Sequence, residues 1–280
     1  MEALIDAALL VGIRLTTAQQ AQYRRYFELL QAGSEIANLT GARGWDRVRD
    51  ELIVRSLRFL APVAGGSVPS SGWFAGSAGR DGPTRGVLDV GTGAGVPGLV
   101  LKLAVPTMEI ALMDSNGKKC GFLRQAIAEM ELRGVTVIEA RAEEAARDRS
   151  HREAYDVVLA RGVARLAELA ELTMPFARVG GTVIAAKGVD VNDEIAESGY
   201  AAAELGAAPA IAYSVAAPGQ AAPDSMVCWM KVRATPDRYP RRNGVPHKEP
   251  LVAAKRALAR PRTARQQEVA FRVRDRAGKE

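Results

Sequence analysis

Cysteine and histidine are nearly missing from this 280-residue sequence, with two of each: Cys120, Cys228, His151 and His247. They are far apart and fit no metal-ligand spacing, so no zinc site or other metal centre is expected. Each cysteine reads as a small apolar filler. No apolar run approaches the ~18 residues that a membrane helix needs, which argues against a membrane partner. The chain opens Met1-Glu2-Ala3 without a basic start, and its first apolar run ends by Ile13. That does not read as a signal peptide, and a cytoplasmic protein is expected. Apolar residues make up 48% of the sequence, enough for a core. At about 100–200 residues per domain, the length allows one large α/β domain or two small ones.

Glycine, by contrast, is concentrated where it tells most. Val87-Leu88-Asp89-Val90 is an apolar run carrying an acid, and Gly91-Thr92-Gly93-Ala94-Gly95-Val96-Pro97-Gly98 follows it. The pattern predicts a strand, a tight loop and a helix start. Glycines permit positive φ and leave no Cβ in a ligand's way. Proline is tolerated in the first helical turn, where its missing N–H costs nothing. The result is a set of free backbone donors at a helix N-terminus, where α/β proteins bind nucleotides. Gly93-x-Gly95-x-x-Gly98 fits a dinucleotide fingerprint. Gly91-x-Gly93-x-Gly95 after Asp89 fits the loop of S-adenosylmethionine (SAM) methyltransferases. Asp89 would repel a pyrophosphate but favour a ligand carrying an ammonium and a sulfonium, so the second template is preferred. A purely structural role for Asp89 at the turn is the competing reading.

The net charge is +6, and it is localised. From Lys255 to Glu280 there are nine Lys/Arg against three Asp/Glu, which accounts for the whole excess. A basic tail suggests an anionic partner, nucleic acid first, or else a solvated tail with no specific partner.

Along the chain, Thr16 with Gln19 reads as a helix cap. Tyr23, Phe27 and Leu30 recur at helical spacing, and Gly33 is expected to end that helix. After an Asn38-Leu39-Thr40 turn, Val48, Leu52, Ile53, Leu57 and Leu60 predict a second apolar helix face. Arg47, Arg55 and Arg58 lie on its other side, a solvated face or an RNA-binding one. Residues 64–85 are rich in Gly, Ser and Pro and read as a loop, with Trp73-Phe74 docking on the protein or stacking on a base.

From residue 86 strands and helices alternate. Strands are predicted at Val87–Val90, Ile110–Met113, Val135–Glu139, Tyr155–Leu159, Thr182–Ala186, Ile211–Val215 and Met226–Val232. The fifth follows a Gly180-Gly181 turn. Helices are predicted at Pro97–Val105, Lys118–Arg133, Leu166–Phe176 and Val191–Leu205. Alternation of this kind gives a parallel sheet covered on both faces. The last two strands have no room for a helix between them and should pair antiparallel. The fold class is therefore α/β: a Rossmann-like, seven-stranded, mostly parallel sheet. The expected divisions are an N-terminal helical extension (1–63), the loop (64–85), the sheet domain (86–252) and a basic tail (253–280).

Ligands of such sheets sit at the carboxyl ends of the strands. Asp114 ends the second strand, a little over 20 residues past the loop, where an acid can accept both ribose hydroxyls of an adenosine. Arg141-Ala142-Glu143-Glu144 follows the third strand, where an adenine edge would lie. Arg161 ends the fourth strand and Lys187 the fifth; these two are the candidate catalytic-site residues.

Taken in order, several segments carry a family resemblance. They are Asn38-Leu39-Thr40, the Asp89–Gly98 loop, Leu112-Met113-Asp114-Ser115 with Lys118-Lys119, Arg141–Glu144, Ala160-Arg161-Gly162, Ala186-Lys187-Gly188 and Tyr239-Pro240-Arg241-Arg242. The chain resembles the bacterial 16S rRNA guanine-N7 methyltransferases, also called glucose-inhibited division protein B, from about Asn38 to Leu251. The resemblance implies a monomeric enzyme that uses SAM to methylate N7 of one guanine, guanine 527, in 16S rRNA or the 30S subunit. It implies cofactor contacts at Gly91, Val96, Ala142, Glu143 and Arg161, with Asp114 at the ribose. Asp89, Gly93, Gly95 and Ser115 complete the candidate cofactor set. Arg47, Arg55, Arg58, Arg241 and Arg242 are the candidate RNA contacts.

The chain departs from the family pattern in places. Leu52 and Arg55 stand where the family usually has histidine and aspartate, and Gly162 replaces the alanine of a Ser-Arg-Ala motif. The chemistry fits what is missing. N7 of guanine has a lone pair and no proton to lose, so no general base is needed, only in-line positioning and a tolerant electrostatic setting. Neither an Asn-Pro-Pro-aromatic motif nor a Pro-Cys nucleophile is present. Arg161 and Lys187 would position SAM or RNA, and an unpaired guanine would offer its edges for contact. The alternatives are a non-catalytic RNA-binding relative and a nicotinamide oxidoreductase.

Overall fold

The computed structural model describes residues 1–60, 86–162, 164–188, 190–215 and 224–253. The expected Trp73-Phe74 loop and the basic tail from 254 lie outside the described residues.

A seven-stranded sheet forms the centre. Its strands are β1 (Val87–Val90), β2 (Ile110–Asp114), β3 (Val135–Glu139), β4 (Tyr155–Arg161), β5 (Ala177–Lys187), β6 (Ile211–Val215) and β7 (Asp224–Met230). The order across the sheet is β3-β2-β1-β4-β5-β7-β6. The first five strands run parallel, and β7 pairs antiparallel with both β5 and β6. The chain reverses direction across the sheet between β1 and β4, which opens a crevice at their carboxyl ends. This is the Rossmann-like, seven-stranded, mostly parallel arrangement expected from the sequence.

Strands buried on both faces alternate their apolar residues between two cores. Leu112, Val157, Leu159, Ile184 and Met226 face one. Leu88, Met113, Val158, Val183, Ala185 and Trp229 face the other. The first core is covered by α1 (Glu2–Leu10), α2 (Thr17–Ala37) and a mixed helical segment. That segment comprises α3 (Trp45–Arg47), a π-helical stretch (Val48–Val54), α4 (Arg55–Leu57) and a 3-10 turn (Arg58–Leu60). The same core includes α5 (Gly98–Ala104) and α6 (Gly117–Glu129). The second core lies under α7 (Ala142–Ala145), α8 (Leu166–Thr173), α9 (Asn192–Glu204) and the segment reaching α10 (Val245–Lys248).

The N-terminal helices share a core with the sheet. Thr16 and Gln19 form a reciprocal cap at the start of α2. The Gln19 amide also donates to the carbonyls of Leu103 and Ala104, at the end of α5. Tyr23 and Tyr26 are fully buried and donate to the carbonyls of Val100 and Ala94, each at 2.8 Å. Burial raises both phenol pKa values, so they stay neutral donors. A phenol of this kind satisfies a buried carbonyl while its ring fills the core.

Two glycine expectations are corrected. Gly33 does not end α2, which runs on to Ala37 and stops at Asn38 in the left-handed conformation, φ 46°. A Cβ at Gly33 would lie 2.6 Å from a ring carbon of Phe122, so this glycine serves close packing on α6. Likewise Gly180-Gly181 is no turn before the fifth strand. β5 begins at Ala177 and passes through both glycines, with Gly180 at φ 82° and an irregular register opposite Tyr155 and Val157. A glycine at positive φ inside a strand is the mark of a bulge.

Candidate active site

Asp89 sits in the middle of β1 with no exposed surface. Its Oδ2 accepts from the Thr92 hydroxyl at 2.6 Å and from the Gly98 amide at 2.8 Å, stapling both ends of the glycine loop. Oδ1 is buried and has no partner among the described residues. Burial pushes the carboxyl up to about 6, against the pull of those two donors. The direct cofactor contact read from sequence is therefore corrected: a carboxylate with no accessible surface shapes the loop from beneath. Gly98 explains the false dinucleotide fingerprint. A Cβ there would lie 2.3 Å from Leu112 Cδ2 and 2.8 Å from Asp89 Oδ2, so its glycine is a packing requirement.

The loop is open at Gly93, whereas Gly95 is buried and a Cβ there would lie 2.7 Å from Leu99 Cδ1. Gly91, Gly93 and Gly95 have φ of 71°, 59° and 94°. A Cβ at Gly93 would meet nothing within 4 Å, which leaves room for a ligand against the backbone. Asp114, at the end of β2, accepts from the Gly93 amide at 2.9 Å and from the Asn116 amide at 2.9 Å. Each oxygen keeps a second lone pair for a ribose hydroxyl. Ser115 is exposed beside it, and Val96 is half-buried at the far end of the loop.

Ala142 and Glu143 open α7 after β3. Glu143 is buried and accepts from the Gly244 amide at 2.9 Å, so its carboxylate anchors the chain's last described segment. What it leaves for an adenine edge is the half-buried Ala142 and the first turn of α7. Asp114, the loop open at Gly93 and the first turn of α7 thus lie at the carboxyl ends of the neighbouring strands β2, β1 and β3.

The second half of the site is cationic. A cleft of about 510 Å³ lies at the carboxyl ends of β4 and β5, lined by Arg55, Arg161, Gly162, Arg165, Lys187 and Asp224 among others. Lys187 donates to the Ala164 carbonyl at 3.0 Å and pairs with Glu194 at 2.8 Å. Arg161 reaches from β4 to the mixed helical segment. It donates to the carbonyls of Glu51 and Leu52 and to the Ser56 hydroxyl. Glu51 and Leu52 belong to the π-helical stretch, a feature frequent at functional sites, and the Leu52 carbonyl also accepts from the Ser56 hydroxyl. Burial is the main cause that lowers Arg161 to about 10, with Arg55 adding repulsion. It remains a cation at neutral pH.

The five arginines proposed for RNA separate. Arg47 and Arg242 are exposed, the former beside Glu51 at 2.9 Å. Arg58 is not on a solvated face: it is 2% exposed and pairs with Asp224 at 2.7 Å. Arg55 grips the same carboxylate through two nitrogens at 2.7 and 2.6 Å. Arg241 holds the fully buried Glu171 through its backbone amide, Nε and Nη2, so it serves as an anchor. Sequence reasoning did not single out Asp224, Glu171 or Tyr26. Their partners lie 68 to 169 residues away, beyond any local pattern.

A sequence profile described as rRNA small subunit methyltransferase G matches residues 19–218. The chain belongs to that family. A relative named ribosomal RNA small subunit methyltransferase G from Roseiflexus sp. (strain RS-1) is 40% identical over 90% of this chain and its own full length. One of the same name from Carboxydothermus hydrogenoformans is 36% identical over 86% of this chain and 95% of its own. Among solved structures, a predicted O-methyltransferase from Agrobacterium tumefaciens superposes with a TM-score of 0.44 at 20% identity. That match covers 56% of this chain and 79% of that one. Family membership sets aside the nicotinamide reading of the Gly93–Gly98 string. Arg55 of the mixed helical segment pairs with Asp224 at the start of β7.

Proposed function

We propose that this member of the methyltransferase G family methylates 16S rRNA, transferring the methyl group of SAM to N7 of guanine 527. The carrying observation is the adjacency of two half-sites: the Asp114–Gly93 loop with its open backbone, and the cationic cleft at the ends of β4 and β5. SAM supplies an electrophilic methyl on a sulfonium, and everything else asked of the protein is placement.

Gly91, Gly93, Gly95 and Val96 would line the cofactor's amino-acid side, and Asp114 and Ser115 its ribose. Ala142 and the turn at Glu143 would meet the adenine. Arg161 and Lys187 would orient RNA or cofactor. Neither is asked to move a proton, because N7 attacks with a lone pair and the new charge stays on the base. A guanidinium kept charged at neutral pH suits that role. The protein acts as a monomer in the cytoplasm, on the 30S subunit or naked rRNA.

The test is transfer of labelled methyl from SAM to 30S subunits and to naked rRNA, with the modified base mapped. Label at guanine N7 is expected, and Arg161→Ala should lose it while the fold survives by circular dichroism. Binding of RNA without transfer would favour the non-catalytic relative, a reading prompted by Leu52, Arg55 and Gly162. Arg161→Ala activity within a few-fold of wild type would remove Arg161 from the site.

A further inference from the structure

Three guanidinium groups converge near one carboxylate. Arg55 and Arg58 share Asp224, and Arg55 stands within electrostatic reach of both Arg58 and Arg161. Among the described residues no carboxylate lies within ion-pair distance of Arg161, whose partners are neutral oxygens. Lys187 and Arg165, on the other wall, are matched by Glu194 and Glu197. Asp89 acts on Arg161 only through space, so three guanidiniums face two carboxylates, and Arg55 and Arg161 line the cleft. Burying like charges together is costly unless an anion completes the set. Two nitrogens of Arg58 are also buried without a partner among the described residues, so Asp224 does not saturate the cluster.

We infer that Arg55 and Arg161 form a binding site for one phosphodiester of the substrate RNA, with Asp224 fixing Arg55 at its rim. This rests on the rRNA reading above and adds a positioning residue that the family resemblance does not supply, since Arg55 is a departure from its pattern. The geometry is suited to the task. The two bonds from Arg55 to Asp224 use Nε and Nη2, which leaves Nη1 to meet a ligand in the cleft that Arg55 lines. An arginine pinned on one edge is pre-organised, and less side-chain freedom is lost when it meets a phosphate. The other anion within reach is the carboxylate of SAM, and the two are separable by experiment.

The probe is a single-stranded fragment of 16S rRNA, bound by the full-length protein across a salt series, with wild type, Arg55→Gln and Arg55→Lys compared. Each phosphate neutralised contributes about −0.7 to the slope of log affinity against log salt for a single strand. Arg55→Gln should reduce the magnitude of the slope by about that much and weaken RNA binding several-fold at low salt. KM for RNA should rise with little change in kcat. Arg55→Lys should keep the wild-type slope. Calorimetric affinity for SAM should be the same in all three. An unchanged slope in a folded Arg55→Gln protein overturns the inference. So does weakened SAM binding with an unchanged slope, which would give the site to the cofactor's carboxylate. Failure of wild type to methylate rRNA would strike the proposed function, whereas the slope tests the phosphate site by itself.

Discussion

On the proposed function, the two aspartates beside the glycine loop would divide the labour of the cofactor site. Asp114 is placed to meet a ligand, because its oxygens are oriented by the Gly93 and Asn116 amides at the end of β2. Asp114→Ala should remove two charge-assisted hydrogen bonds to the ribose. The expected loss of SAM affinity is on the order of 2–3 kcal/mol or more. Calorimetry showing unaltered affinity would take the ribose away from this residue. Asp89 acts from inside, and its signature is pH. Its carboxyl is held at about 6 in the fold against an ordinary 3.8. Between those values the folded protein keeps a proton that the unfolded chain has released. The stability contributed by this group is therefore complete below about pH 4 and declines as pH rises to about 6. Asp89→Asn keeps an acceptor for Thr92 and Gly98 and cannot ionise. Urea unfolding from pH 4 to 7 should show the variant gaining on wild type by on the order of 2–3 kcal/mol, with no further gain above the window. A difference that stays flat with pH would mean that the carboxylate is solvated.

At the scale of elements, what the sequence made legible is what depends on neighbours in the chain. The Thr16–Gln19 cap, the alternation of β1 to β4 and the loop between Asp89 and Gly98 are local patterns, and each was read close to its place. The last two strands pair antiparallel because Ile211–Val215 and Asp224–Met230 leave no space for a crossover helix. Gly33 and Gly180 misled because local grammar treats glycine as punctuation, while here a ring of Phe122 and a strand bulge required it. The π-helical stretch was invisible for the same reason: its carbonyls matter here only because Arg161 arrives from β4. Arg241 shows the limit most clearly. Its Tyr-Pro-Arg-Arg segment helped to recognise the family, yet its guanidinium is spent on Glu171 rather than on RNA. Arg241→Ala should leave the buried Glu171 carboxylate with the backbone amide but without its guanidinium, and destabilise the fold by about 3–5 kcal/mol. Denaturant unfolding measures that loss. The salt dependence of RNA binding should stay at the wild-type value, and a shallower slope would return Arg241 to the RNA surface.

For the whole molecule, the distribution of charge separates affinity from choice. The described site offers few places for phosphates: the Arg55–Arg161 cluster, the exposed Arg47 and Arg242, and little else among the candidates once Arg58 and Arg241 are committed internally. The basic excess lies instead between Lys255 and Glu280. Phosphate contacts hold a protein on its RNA and carry no base information. On the proposed function, selection of the target base would then come from the cleft and the cofactor loop, held by β1, β2, β4 and α2. Deleting residues 254–280 should consequently weaken RNA binding and flatten its salt dependence, because fewer counterions are released on association. The methylated position should be the same as for the full chain, and SAM affinity should not change. Filter binding at low and high salt, run alongside mapping of the modified base, distinguishes the outcomes. RNA affinity that is indifferent to the deletion at both salts would make the tail a bystander. Methylation of a different base would mean that the tail chooses the target, and the cleft would then be only the place where the chemistry occurs.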